Sequence, residues 1–480
     1  MAGNNYDIII NKNKNFFDTI LLGVHDEKED IKKIEIIQKA SHFAVSNQIG
    51  VFNSSLIESL LIDMAESVKC KVDNSYKKNS FLHVFTRCYN TGGHTRVCEK
   101  WIKYSSDKEV HSVALISQDD EVIPEDLQNY VKKKNGNFIT LEGDCLEKSI
   151  KLRKIASSFE MVILHTNMDD PIPILSFGNE LFKRPVIFFN HGDHLFWLGV
   201  SISDIVVNLR SLSQEINIKC RDVKNNFLLP LPIEEVDLKS NKLEEINKVK
   251  LEIGFTKKSK IIIVVASGYK FQSFDNYDFI DTISQILDKG GDICLLVIGP
   301  TNKENKWREL IKKYKNRVKV IGPVSHAKID KYIQIADLGV DSFPFGSFTS
   351  LLHIGSYNIP CFSLKTPINE IDSFVKANIF CNTQKELIKK VDYFFQTGIV
   401  EQDFFKEIKR SHFQKIFSKN LQDLYKKTPK CHNIRKFNDD KGLQKFREFK
   451  YFVYKLQNAN KKDKISFFTR LVNTMKKGIN

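Results

Sequence analysis

Two series of short apolar runs, each run followed by a longer amphipathic segment, restrict what this 480-residue chain can fold into. FLHVF, HSVALIS, NFITL, MVILH and PVIFFN make up the first series; KIIIVVAS, DICLLVIG, VKVIG, LGVDSF and PCFSL make up the second. These runs are too short for helices, so they read as strands covered on both faces with helical crossovers between them. The pattern predicts an α/β fold of two Rossmann-like, doubly wound domains facing a cleft, where ligands gather outside the carboxyl ends of the strands. Two prolines and dense charge in NFLLPLPIEEVDLKSNKLEE mark the linker between the domains.

The flanks differ. Residues 1–80 show helical periodicity, as in Ile57, Leu60, Leu61, Met64 and Val68, and read as a helical extension. The first domain is then 81–240, the second 241–400, and 401–480 a basic amphipathic helical tail. Most of the formal charge of +15 sits in that tail, which holds 21 Lys and Arg against 8 Asp and Glu. There Phe446, Phe449, Val453 and Leu456, then Ile465, Phe468, Val472 and Met475, form one-sided stripes backed by cations. Residues 441–480 are therefore the expected contact with an anionic membrane surface, with packing of the tail on the two domains as the rival. Nucleic acid is not an expected partner, since no recognised binding module accompanies the charge. Nine Cys without a CxxC pair, no secretory-type start and no apolar run long enough for a bilayer point to a cytoplasmic protein, peripheral at the inner membrane face if the tail binds there.

Four motifs stand at predicted strand ends. Asn90-Thr91-Gly92-Gly93-His94-Thr95-Arg96 follows FLHVF and opens a helix. Its glycines let the backbone approach a ligand, the helix start offers N–H groups to an anion, and His94 has the near-neutral pKa of a general base. A tight turn with a capping histidine fits the same residues. At the end of PVIFFN, His191, Asp193 and His194 put two imidazoles and a carboxylate at the cleft. A metal is one rival there, weakened by the lack of a further ligand cluster, and no metal is expected; a polar loop with satisfied histidines is another. His165, ending MVILH, packs beside this loop. Gly268 and Lys270, after KIIIVVAS, place a cation within reach of a phosphate. In Asp341–Pro360 a Pro/Gly loop leads to Ser347, Phe348, Thr349 and Ser350 at a helix start, which is either an anion site without a Walker sequence or an ordinary cap.

Together these pieces resemble a GT-B glycosyltransferase, and the second domain resembles glycosyltransferase family 41, the O-GlcNAc transferase and bacterial N-glycosyltransferase type. The resemblance is carried by RVKVIGPVSHAKIDKYIQIADLGVDSFPFGSFTS and spans about residues 260–375. It implies that Lys270, Thr349 and Ser350 hold the diphosphate of a nucleotide sugar and that Ser325, His326 and Lys328 lie on the base-reading loop. Two positions depart from the family: His353 stands where an acid holds the ribose, and Phe348 where the family has a small residue or His. No repeat of about 34 residues precedes the domain, which argues against protein O-GlcNAc transfer. Retaining family 4 is a second resemblance, through PVIFFNH, which would make His191 a sugar contact, and through FPFG. That family needs two glutamates in the FPFG loop, whereas this chain has no acid between Asp341 and Glu370.

The expectation is an inverting, metal-independent hexosyl- or N-acetylhexosaminyltransferase that needs no cofactor beyond its donor, a UDP-type nucleotide sugar. The acceptor would be a surface polysaccharide or lipopolysaccharide, free or lipid-linked. Alternatives are a protein N- or O-glycosyltransferase, a retaining enzyme, or a non-catalytic partner of the same fold.

Overall fold

The computed structural model describes residues 3–438, apart from 69, 71, 74, 90–92, 120–121, 194, 237–242, 274–275, 325 and 367–376; of residues 3–7, His326 and Ala327 only the backbone is described. The apolar stripes at 446–475 lie outside the described residues.

Three helices, α1 (Gly3–Asp26), α2 (Asp30–Ser46) and α3 (Ser55–Ser67), come first. The first domain follows as β1 (Lys77–Phe85), α4 (Gly93–Tyr104), β2 (Val110–Leu115), α5 (Glu125–Lys133), β3 (Phe138–Thr140) and α6 (Cys145–Ser157). It continues with β4 (Phe159–Leu164), α7 (Ile172–Phe177), β5 (Val186–Asn190), β6 (Ile205–Asn208), α8 (Ser211–Cys220) and β7 (Asn226–Leu228). All its strands are parallel, in the order β3-β2-β1-β4-β5-β6-β7.

The second domain runs α9 (Leu243–Glu252), β8 (Lys260–Val265), α10 (Phe279–Asp288), β9 (Ile293–Ile298), α11 (Asn305–Tyr314) and β10 (Val318–Gly322). Then come α12 (His326–Ile333), β11 (Leu338–Val340), α13 (Thr349–Ser356), β12 (Cys361–Leu364), β13 (Phe380–Cys381) and α14 (Gln384–Thr397). Its sheet is also parallel, ordered β10-β9-β8-β11-β12-β13. Both sheets thus reverse direction beside their first strand, which is the doubly wound arrangement. β1 begins four residues before position 81, and the stretch read as linker starts with β7.

Successive strand residues point to opposite faces, so each apolar run serves two cores. Leu82, Val84, Val162 and Leu164 pack with Phe17, Ile37, Phe43 and Leu61 of the N-terminal helices. Phe81, Ile163 and Ile187 face the other way, toward Trp101 of α4 and toward Leu421 and Leu424 of the tail. The tail helices α15 (Phe404–Ser411) and α16 (Gln414–Lys427) therefore belong to the body. α15 crosses α13 at Gly355, where a Cβ would stand 2.4 Å from the Phe404 ring. On α16, the Tyr425 hydroxyl accepts from Trp101 Nε1 at 2.7 Å. Beyond it, Arg435 donates to the carbonyls of Val200 and Asp222. The expected rival, packing on both domains, accounts for the tail up to residue 438.

One buried charge fastens the N-terminal helices to the first domain. The Glu58 carboxylate of α3 accepts from the N–H groups of Gly199, Val200 and Ser201 at 2.8, 3.1 and 2.7 Å, and from Ser201 Oγ. Burial raises its pKa while these bonds lower it.

Candidate functional site

The strand reversal in the first sheet falls between β1 and β4, and the chain emerges there at its carboxyl edge. His94 lies in the first turn of α4 and His191 directly follows β5. Their rings stack at 4.9 Å between centroids, 24° from parallel. Nε2–H of His94 donates to the Arg87 carbonyl at 3.2 Å, and Nε2–H of His191 to the Thr166 carbonyl at 3.0 Å. A carbonyl can only accept, so each bond fixes the ring proton on Nε2 and leaves Nδ1 of His94 as its basic nitrogen. Burial lowers the His94 pKa from 6.5, against the raising effect of the Arg87 carbonyl, so the ring is neutral at pH 7. Gly93 is exposed at the start of α4, and a Cβ there would meet nothing within 4 Å.

Asp193 is already engaged: its carboxylate accepts from the Arg210 guanidinium and from Ser213 Oγ. Beneath it the buried Arg221 donates to the carbonyls of Asp193 and Leu195 at 2.8 and 2.6 Å, which fixes the loop after His191. His194 lies outside the described residues.

In the second domain the equivalent place lies between β8 and β11. Lys270 sits on a 3₁₀ turn, Gly268–Phe271, just after β8. Its Nζ donates to the Gly346 carbonyl at 3.0 Å and lies 5.0 Å above the Phe345 ring. Burial brings its pKa down to about 8; Asp341 opposes that shift and Arg210 adds to it. Arg210 belongs to the first domain, so Lys270 feels a cation of the other domain.

Asp341 shapes the loop beneath Lys270. Buried at the end of β11, it accepts from Ser347 N–H at 2.8 Å, Ser347 Oγ at 2.6 Å and Ser363 Oγ at 3.0 Å. The next residue, Phe348, has φ of 30°, a strained value for a side chain with a Cβ, and turns the chain into α13. Thr349 is exposed at the first position of that helix, and Ser350 N–H donates to the Ser347 carbonyl at 3.1 Å. His353 on α13 pairs with Asp330 on α12 at 3.0 Å. Lys328 is exposed on α12, and Ser325 lies outside the described residues.

Arg210, Arg221 and two buried histidines, His83 and His111, were not found by motif reasoning. The arginines stand in no motif. The histidines did leave a signal, as ionisable residues inside otherwise apolar strands.

Among solved structures, Anabaena HepE, determined in complex with UDP and glucose, matches with a TM-score of 0.52 at 13% identity, over 72% of this chain and 99% of its own. A glycosyltransferase from Rickettsia africae matches with a TM-score of 0.51 at 16% identity, over 80% of this chain and all of its own. The chain has the GT-B fold. No protein-family model and no curated protein matches it. In GT-B terms, the His94–His191 pair and Lys270 occupy the strand-reversal points of the two facing domains.

Proposed function

We propose that this protein is a glycosyltransferase that moves a sugar from a nucleotide diphosphate sugar, UDP-linked as the first choice, with inversion and without a metal. The observation that carries this reading is Lys270 Nζ held 3.0 Å from the Gly346 carbonyl in the loop that leads into α13, with the Arg210 cation of the first domain near enough to lower its pKa. A departing diphosphate needs fixed positive charge in a water-poor site, and these two side chains with the Thr349 helix start would supply it. His94 Nδ1 would take the acceptor proton, and His191 would hold the His94 ring against slippage. Asp193 would act through Arg210. His353 brings Asp330 beside the place where family 41 carries its ribose acid, which supports a competent donor site and counts against a non-catalytic partner. HepE, of the same fold, was crystallised with UDP and glucose.

Assaying UDP release from UDP-glucose, UDP-N-acetylglucosamine and UDP-galactose tests the reading; release from at least one is expected, and none from any rejects it. We take the acceptor to be a growing surface polysaccharide or lipopolysaccharide, because 441–480 carry the cations and apolar stripes suited to an anionic membrane. Among the described residues no helix is long and apolar enough to cross a membrane. Flotation with anionic liposomes should carry the full chain upward and leave behind a chain ending at Asn438; equal behaviour of the two rejects the membrane role.

A further inference from the structure

Four buried side chains form a continuous line near the His94–His191 pair. Glu109 Oε2 lies 3.2 Å from His111 Nε2, His111 Nδ1 lies 2.9 Å from His83 Nε2, and His83 Nδ1 lies 2.9 Å from His165 Nε2. Glu109 precedes β2, His111 and His83 are on β2 and β1, and His165 follows β4, so the line climbs from the amino toward the carboxyl edge of the sheet. At its upper end His165 Nδ1 is buried and has no hydrogen-bond partner among the described residues. The His165 ring stacks on Phe85 at 4.7 Å, and Phe85 in turn meets His94 at 5.7 Å. At the lower end Glu109 Oε1 accepts from Gln422 of α16 at 2.6 Å.

Each neutral imidazole here donates from one nitrogen and accepts at the other, so only two arrangements satisfy the line. With Glu109 ionised, all three rings carry their proton on Nε2 and His165 Nδ1 presents a lone pair. With Glu109 protonated, all three carry it on Nδ1. Neither state charges a ring, which matters because burial strongly disfavours an imidazolium at His83 and His165. Burial also raises the pKa of Glu109, against the lowering effects of the Gln422 hydrogen bond, Lys134 and the Ser106 backbone.

We propose that Glu109, His111, His83 and His165 form a proton relay serving the candidate site. The proposal rests on the glycosyltransferase reading only for the source of the proton. As the acceptor oxygen bonds to the sugar, the sugar–phosphate bond breaks with its electrons on the diphosphate and the acceptor proton goes to His94 Nδ1. A single water admitted beside His94 with the acceptor, which the proposal requires, takes that proton and gives one of its own to His165 Nδ1. The Nε2 proton of His165 then moves to His83 Nδ1, that of His83 to His111 Nδ1, and that of His111 to Glu109 Oε2. One N–H bond on His94 is replaced by one O–H bond on Glu109, and His94 is neutral again; once the products have left, the same hops in reverse return the proton from Glu109 through His165 Nδ1 to water, which restores the carboxylate and the Nε2–H rings.

Ligand atoms of Cys98, His83 and His165 lie within 4.8 Å of one another, a grouping of the size that holds a metal. However, the two ring nitrogens at 2.9 Å are closer than two ligands on a tetrahedral zinc, and burial keeps Cys98 a thiol.

The test is ¹⁵N NMR of histidine-labelled full-length protein at pH 8. His111, His83 and His165 should be neutral Nε2–H tautomers in the wild type. In Glu109→Gln, whose amide donates to His111, all three should flip to Nδ1–H. The same joint flip is expected in the wild type as falling pH protonates Glu109, whose titratable neighbours besides His111 include Lys134 and Tyr425. A flip of His111 alone, a charged ring in the line, or one zinc per chain overturns the relay. These readouts do not depend on transfer, so loss of the function reading is separable. In an active enzyme Glu109→Gln should lower kcat about tenfold or more with UDP affinity unchanged; an unaltered kcat also overturns the relay.

Discussion

The imidazole of His94 stacks on that of His191 at 4.9 Å, and each is held in one tautomer by a backbone carbonyl. The pair is therefore aligned before any ligand arrives, and its basic nitrogen is set by the fold and not by the substrate. His94→Ala should lower kcat by about 10²- to 10⁴-fold, the usual worth of a general base, and leave UDP binding unchanged by calorimetry. Normal turnover would remove His94 from this role.

The pH profile of kcat/KM should be bell-shaped. His94 must be neutral, so the acid limb should turn below 6.5. Lys270 must be charged, so activity should fall as pH rises through about 8. Lys270→Arg should move the alkaline limb upward; an unmoved limb would assign it to another group.

The same depressed ammonium makes UDP binding proton-linked. A bound diphosphate raises the Lys270 pKa, so near pH 8 binding should take up protons, seen as a dependence of the calorimetric heat on buffer ionisation enthalpy. Lys270→Ala should weaken UDP binding by about tenfold or more and abolish this uptake.

Asp193 offers a sharper discrimination. If it anchors Arg210, Asp193→Ala should weaken donor binding and keep the acid limb of the profile. Loss of that limb would make Asp193 the base instead.

Much of this architecture is legible in the sequence, because strands buried on both faces leave unbroken apolar runs, as in IIIVV of β8 and VIFFN of β5. β6, β7 and β13 escaped, being four, three and two residues long, with β7 merged into a proline-rich segment. His94, His191 and Lys270 were legible because they stand beside strand ends that polar or glycine-containing loops mark out. Arg210 was not, since it stands sixty residues before Lys270 and its charge reaches that side chain only in the folded pair of domains. The line from Glu109 to His165 was hidden for a related reason: strand order, not chain order, brings positions 83, 111 and 165 together.

The N-terminal helices should prove integral to the first domain. Glu58→Ala leaves three buried N–H groups unpaired and should cost about 3 kcal/mol or more in urea unfolding. Leu421→Ala, in the core shared by α16 and the first sheet, should cost about 2–5 kcal/mol. Wild-type stability in either variant would show that the element is only loosely docked.

The most direct measurement is UDP release from the UDP-sugar panel by the wild type and Lys270→Ala side by side. Release from at least one donor, lost or strongly reduced in the variant, is the expected result. No release from any donor, or equal release by both proteins, would contradict a nucleotide-sugar site built on Lys270.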